Sequence, residues 1–97
     1  MASEEALQAV ADVFSRIDSA AEMRQFFDEI LTTSEACALA LRWLLLQKLK
    51  AGVPQRKIAA DLGISLCKIT RGSKILKDNQ SITRRLLAED TKVESSQ

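Results

Sequence analysis

The segment from residue 55 to residue 77 constrains the fold more than any other part of the 97-residue chain. It reads QRKIAADLGISLCKITRGSKILK, with apolar residues at helical spacing on both sides of Gly63. Glycine permits the positive φ angle of a tight turn, and Ser65 can cap the helix that follows. Ala59 is small enough to let two helices approach closely. The segment therefore predicts two short helices joined by a tight turn.

This spacing is typical of a helix-turn-helix motif, whose second helix enters the major groove of DNA. Counted from Gln55, Ala59 and Gly63 take the fifth and ninth positions, where the motif needs a small residue and a turn glycine. Gly72 departs from the pattern, because glycine costs a helix interior about 1 kcal/mol relative to alanine. Its presence suggests that something approaches the backbone there. A plain two-helix hairpin inside a bundle is the alternative interpretation.

The charges are distributed unevenly along the chain. Residues 1–35 contain eight acidic and two basic residues, a net charge of −6, whereas residues 36–87 contain eleven basic and two acidic residues, a net charge of +9. The basic excess coincides with the two-helix segment. Release of counterions from DNA phosphates rewards such a concentration of positive charge. An ordinary solvated helix surface is the alternative.

The composition predicts an all-α fold in one domain over residues 1–97. Helix formers dominate, and the chain has only three glycines and one proline. A T-x-x-E capping box at residues 32–35 opens a third helix, which runs to about Ala51 and stops at Gly52. The other predicted helices cover residues 4–17, 20–31 and 82–89, the last with Ile82, Leu86 and Leu87 packed. Residues 90–97 are predicted to form a frayed tail.

The third helix is apolar on nearly all sides, which is typical of a helix that is buried on most faces. A chain of this size can hardly cover such a helix alone. The sequence therefore favours an intertwined homodimer. A central helix in a monomeric bundle is the alternative.

Several classes of function are disfavoured by what the chain lacks. It has no histidine, and its two cysteines are isolated, so a metal site is not expected. It also has no tyrosine and no glycine-rich phosphate loop, so an enzyme is not expected. The acidic N-terminus lacks the apolar core of a signal peptide, and no apolar run is long enough to span a bilayer. We therefore expect a cytoplasmic protein.

Three segments resemble the Trp-repressor superfamily, and the likeness covers roughly residues 20–88. LTTSE at residues 31–35 resembles the family's entry to its central helix. Gln55 and Arg56 resemble the pair that opens its DNA-reading unit. ITRGS at residues 69–73, followed by Leu76 and Lys77, resembles its most specific signature. The resemblance implies a six-helix interlocked homodimer that binds a palindromic double-stranded operator and uses L-tryptophan as corepressor.

The resemblance also implies roles for individual residues. Arg42 and Arg71 match the two arginines that flank the indole ring by cation–π contact. Gly72 matches a glycine that lets the ligand approach the backbone. Thr32 and the carbonyl of Leu31, with Ile30 nearby, match the wall that receives the amino acid's polar end.

For DNA, Arg56 matches an arginine that reads a guanine edge. Phosphate contacts are implied for Gln55, Thr70 and Lys77. Leu66, Cys67 and Lys68 occupy the reading positions at the start of the second helix, where the family usually has Ile, Ala and Thr.

Three departures leave the function open. The segment from Arg42 to Gln55 is one residue shorter than in the tryptophan repressors proper. Ile75 replaces a serine near the ligand's amino group, and Ala59 replaces a lysine. We therefore consider three functions: a tryptophan-dependent repressor of tryptophan-related genes, a dimeric DNA-binding regulator that ignores tryptophan, and a helical protein–protein interaction module.

Overall fold

The computed structural model describes the backbone of residues 3–95 and the side chains of residues 3–89. Over that part of the chain there are six α-helices and no strand, as expected for an all-α fold. None of these helices combines the length and hydropathy needed to cross a membrane. Two compact units divide the chain, unit 1 over Met1–Cys37 and unit 2 over Ala38–Gln97. The helices are α1 Glu4–Ser15, α2 Ala20–Ile30, α3 Thr33–Lys50, α4 Gln55–Leu62, α5 Leu66–Lys77 and α6 Ile82–Ser95.

Unit 1 contains α1 and α2, and each begins at a serine cap. The Oγ atom of Ser3 accepts a hydrogen bond from the backbone N–H of Ala6, and Ser19 caps α2 in the same way. Phe14 of α1 packs edge-on against Phe26 of α2, with ring centroids 5.4 Å apart. Neither helix has a fully buried residue in the described chain.

The start of α3 confirms the predicted capping box. The backbone N–H of Thr32 donates to Oε1 of Glu35 over 2.8 Å, and the backbone N–H of Glu35 donates to Oγ1 of Thr32 over 3.1 Å. Hydrogen bonds from Thr32 favour the charged carboxylate and lower the pKa of Glu35. At the other end, Gly52 adopts a φ of +86°, which confirms it as the stop of this helix.

Unit 2 has its core where α3, α4 and α5 meet. Leu45, Ile58 and Ile69 are buried there. The partly buried residues packed against them are Leu49, Val53, Ala59, Leu62 and Ile64. Between α4 and α5, Gly63 has φ +65° and ψ +36°, so the predicted glycine turn is confirmed. The Oγ atom of Ser65 accepts from the backbone N–H of Lys68, which confirms the predicted cap.

The last helix differs from its prediction in length and in packing. It continues past Glu89 to Ser95, where the sequence has no glycine or proline that would stop it. Residues 96 and 97 of the predicted tail lie outside the described residues. The predicted packing of Ile82 and Leu86 is not present within the single chain, where their exposed fractions are 64% and 43%. Only Leu87 of the three turns its side chain into the unit, with 1% exposed.

Candidate functional site

Two helical faces of unit 2 meet at a cleft. Arg42, Leu45 and Leu46 lie on one face of α3, and Leu49 continues that face by one turn. On α5 the residues at the same spacing of three, four and seven are Lys68, Arg71, Gly72 and Ile75. The cleft between them has a volume of about 440 Å³. It is lined by Arg42, Leu45, Leu46, Lys68, Arg71, Gly72 and Ile75.

Gly72 brings the backbone of α5 close to α3. A Cβ atom at this position would lie 3.1 Å from Cδ1 of Leu49 and 3.3 Å from Cδ2 of Leu46. It would also lie 3.6 Å from Cδ2 of Leu45. The sequence indicated that something lies close to the backbone at Gly72, and these leucine side chains of α3 account for part of that close contact. Because Gly72 also lines the cleft, a ligand bound there would lie beside the same stretch of backbone.

Apolar and charged residues are separated within the cleft. Leu45 and Gly72 are buried on its inner side, and Ile75 is half-buried. Arg42, Lys68 and Arg71 are exposed, and none of them forms an ion pair with a described side chain. No carboxylate is among the lining residues. The arrangement suits a ligand with an apolar body and an anionic group.

The six residues assigned to a ligand fall in both units. Arg42, Arg71 and Gly72 line the cleft of unit 2 together. The other three belong to unit 1, where Ile30 is the exposed last residue of α2, Leu31 is its half-buried C-cap and Thr32 forms the capping box.

The residues assigned to DNA lie on α4 and α5. Gln55 and Arg56 are exposed in the first turn of α4. The exposed residues of α5 with an assigned role are Leu66, Cys67, Lys68, Thr70 and Lys77. Arg56 has no ion-pair partner among the described side chains, whereas the adjacent Lys57 pairs with Asp61 at 3.2 Å. The Thr70 hydroxyl donates to the carbonyl of Leu66 over 3.0 Å.

Sequence reasoning missed two features of this surface. It assigned Lys68 to DNA alone, although Lys68 also lines the cleft. It did not single out Lys74, which continues a series of exposed cations three residues apart from Lys68 through Arg71 to Lys77. The spacing of three, four and seven from Lys68 to Arg71, Gly72 and Ile75 is a signal that would have placed Lys68 on the same helical face as the residues assigned to the ligand. No cluster of metal-ligating side chains was found among the described residues.

These features describe a small all-α protein with a basic surface beside a ligand-sized cleft. The chain belongs to the Trp repressor protein family, whose model matches residues 5–91. That family consists of DNA-binding transcription regulators rather than enzymes.

Curated relatives of the chain carry the name Trp operon repressor homolog. The chain is 35% identical over 80 residues to the Trp operon repressor homolog of Xylella fastidiosa strain M23, which covers 81% of this chain and 87% of the relative. The same values hold for the homolog of strain Temecula1. The Trp operon repressor homolog of Chlamydia caviae is 39% identical over 67 residues, which cover 68% of this chain and 66% of the relative. No solved structure matches the chain.

Proposed function

We propose that this protein is a sequence-specific DNA-binding repressor of tryptophan-related genes, that it acts as a homodimer of one all-α domain per chain, and that L-tryptophan is its corepressor. The main support is the meeting of Arg42, Arg71 and Gly72 at one cleft. The cleft also includes Lys68, which lies in the exposed first turn of α5. A ligand in the cleft would therefore touch the helix that is proposed to meet DNA.

In this proposal α4 and α5 form a helix-turn-helix, and α5 is the reading helix. The left-handed Gly63 sets the turn, and the buried side chains of Ile58 and Ile69 hold the two helices together. While those two side chains are buried, Leu66, Cys67 and Lys68 at the start of α5 are exposed. Residues at the start of a reading helix are those that contact base edges.

Arg56 is the strongest candidate for reading a base. It is exposed and has no ion-pair partner in the described chain, so its guanidinium is available for two parallel hydrogen bonds to a guanine edge. Gln55 beside it and Lys77 at the end of α5 are assigned to phosphates. Phosphate contacts position a protein on DNA without specifying sequence.

Thr70 is the weakest of the assigned phosphate contacts. Its hydroxyl proton is already donated to the carbonyl of Leu66. A phosphate offers only acceptor atoms, so Thr70 must give up that bond before it can donate to DNA. An intramolecular hydrogen bond contributes about 1 kcal/mol, which offsets much of what the new contact would add.

The exposed apolar residues support the proposed homodimer. In the single chain, Leu39 and Leu44 of α3 have exposed fractions of 46% and 42%. Among residues 3–89, whose side chains the structure describes, the exposed large apolar residues are Leu7, Val10, Ile30, Leu39, Leu44, Leu66, Ile82 and Leu86. A second copy of the chain could cover these side chains, since most soluble oligomers are symmetric homo-oligomers.

The proposed tryptophan site uses the two arginines as a pair. The indole ring would lie between the guanidinium groups of Arg42 and Arg71, and one of the two would also bind the carboxylate. Gly72 lines the same cleft, so the ring would lie beside its backbone, although Leu46 and Leu49 occupy the direction in which a Cβ would point. Thr32, the Leu31 carbonyl and Ile30 are assigned to the ligand's polar end by family resemblance. By binding one orientation of α4 and α5 best, the ligand would shift the population toward it.

Two binding measurements test this function. Duplexes selected from a random pool with L-tryptophan present should be palindromic, and tryptophan should tighten their binding by about tenfold, a usual size for coupling between two sites. The Arg56→Ala variant should lose about tenfold in discrimination between a selected and a scrambled duplex.

Lys57→Ala is the matched control, because it removes an adjacent charge that already pairs with Asp61. It should weaken both duplexes about equally. Retention of full discrimination by Arg56→Ala would exclude the proposed role of that residue, and recovery of no preferred duplex would exclude sequence-specific binding.

A DNA-binding regulator that ignores tryptophan is the second candidate. Ile75 favours it, because this residue lines the cleft and has no side-chain group that could accept a hydrogen bond from an ammonium. In that case the selected duplexes and their affinities would be the same with and without tryptophan.

A further inference from the structure

We infer that the cleft of unit 2 binds aromatic dianions, with Lys68 as a third cation beside Arg42 and Arg71, and binds them more tightly than a zwitterionic amino acid. This inference rests on the proposed ligand-responsive function and adds a second class of ligand to the same site. Its basis is the charge of the cleft lining, which contains three cations and no carboxylate.

The three cations have no partner inside the described protein. None of them forms an ion pair with a described carboxylate, and all three are exposed at the cleft. A zwitterionic ligand has no net charge, so the net positive charge of the cleft lining is unchanged when it binds. A ligand with two anionic groups compensates two of the three cations and can form charge-assisted hydrogen bonds with them.

Lys68 is the residue that makes a second anionic group favourable. Arg42 and Arg71 suffice to flank one ring and bind one carboxylate. Lys68 lies one turn before Arg71 on the same face of α5, so its ammonium borders the same cleft and remains available for another acid group. Its position in the first turn of a helix adds positive potential from the backbone.

Ile75 acts against the zwitterion from the other end of the lining. It is half-buried in the cleft and offers a ligand's ammonium only hydrocarbon. An ammonium placed there loses water without gaining an acceptor, whereas the apolar body of an aromatic anion gains contact. The same side chain thus disfavours one ligand class and favours the other.

Four indole ligands of graded charge test the inference by calorimetry on the full chain. They are tryptamine, L-tryptophan, indole-3-propionate and the 2-carboxy derivative of indole-3-propionate. Affinity should rise along that series, with the dianion about tenfold tighter than L-tryptophan, as expected for one added ion pair at a partly exposed site. The advantage should shrink as salt is raised.

Lys68→Gln and Lys74→Gln form the matched pair of variants. Both remove one exposed charge from α5, but only Lys68 lines the cleft. Lys68→Gln should lower the dianion affinity about tenfold and change that of L-tryptophan by less than about threefold, while Lys74→Gln should keep the dianion's advantage. Circular dichroism checks that both variants keep their helices.

Each remaining outcome separates this inference from the proposed function. If L-tryptophan binds as tightly as the dianion, or if Lys68→Gln leaves the dianion's advantage intact, the inference is overturned and tryptophan gating stands. If no member of the series binds but selected DNA still does, both the inference and the corepressor role fail, and the tryptophan-independent regulator stands.

Discussion

The close contact at Gly72 leads to a prediction about the Gly72→Ala variant, in which two effects oppose each other. Alanine is favoured over glycine in a helix interior by about 1 kcal/mol, so propensity alone would stabilise the variant. The added Cβ, however, would lie 3.1 Å from Leu49 and 3.3 Å from Leu46. Both distances are shorter than the optimum of about 3.5–4.0 Å between carbon atoms.

We expect the steric effect to exceed the helix-propensity effect. To relieve the contact, the methyl groups of Leu46 and Leu49 must move by a few tenths of an ångström, and Leu45, which is 3% exposed and would itself lie 3.6 Å from the new atom, blocks movement on the inner side. Overpacking of a filled core costs about 1–3 kcal/mol. After the gain in helix propensity, the free energy of unfolding should fall by about 1 kcal/mol.

Urea unfolding followed by circular dichroism, at one fixed protein concentration, measures this change. Ser73→Ala is the control, because it changes helix propensity at the next residue of the same helix and should be stabilising by a few tenths of a kcal/mol. If Gly72→Ala instead gained the full 1 kcal/mol or so that propensity offers, the leucines would be yielding freely. The contact would then set no limit on how close α5 lies to α3.

Three further substitutions test the fold. Gly63→Ala should lower the free energy of unfolding in urea by about 1–2 kcal/mol from backbone strain alone, since the residue has φ +65° and the new methyl group would meet no atom within 4 Å. A neutral result would contradict the left-handed turn. Ile69→Ala should cost about 2–5 kcal/mol because the side chain is fully buried, and a loss below about 1 kcal/mol would mean that the site collapses or is exposed. For Glu35, whose pKa is lowered, the carboxylate's stabilising contribution is present above the ordinary value of 4.5 and is lost as pH falls through the lowered pKa. Wild type should therefore lose more thermal stability than Glu35→Gln on acidification below pH 4.5, and parallel curves would show that the capping box does not respond to pH.

Features that depend on near neighbours in the chain could be predicted from the sequence. The capping box between Thr32 and Glu35 needs only two residues at a fixed spacing, and both of its hydrogen bonds are present. The turn at Gly63 and the cap at Ser65 are equally local and are also confirmed. At Gly52 the chain similarly leaves α3 with a positive φ.

Features that depend on the tertiary arrangement could not be predicted in the same way. Ile82 and Leu86 have an apolar spacing suited to a core, yet Leu87 is the residue that is buried. A pattern of apolar residues shows that a helix has an apolar face, but it does not show which neighbour covers that face. The end of α6 was misplaced because the polar composition after Glu89 suggested a frayed tail, although no glycine or proline stops the helix there.

Lys68 shows what the pairing of two helices adds to a sequence pattern. From the sequence it is a residue of the first turn of a reading helix, whereas the structure also places it at the cleft, one turn from Arg71. A ligand in that cleft and DNA on the outer face of α5 would then both contact the first turn of α5, where Lys68 lies. If the proposed function holds, binding at the two sites must be coupled, and the coupling must be reciprocal. Operator DNA should therefore change the affinity for the corepressor by the same factor by which the corepressor changes the affinity for DNA.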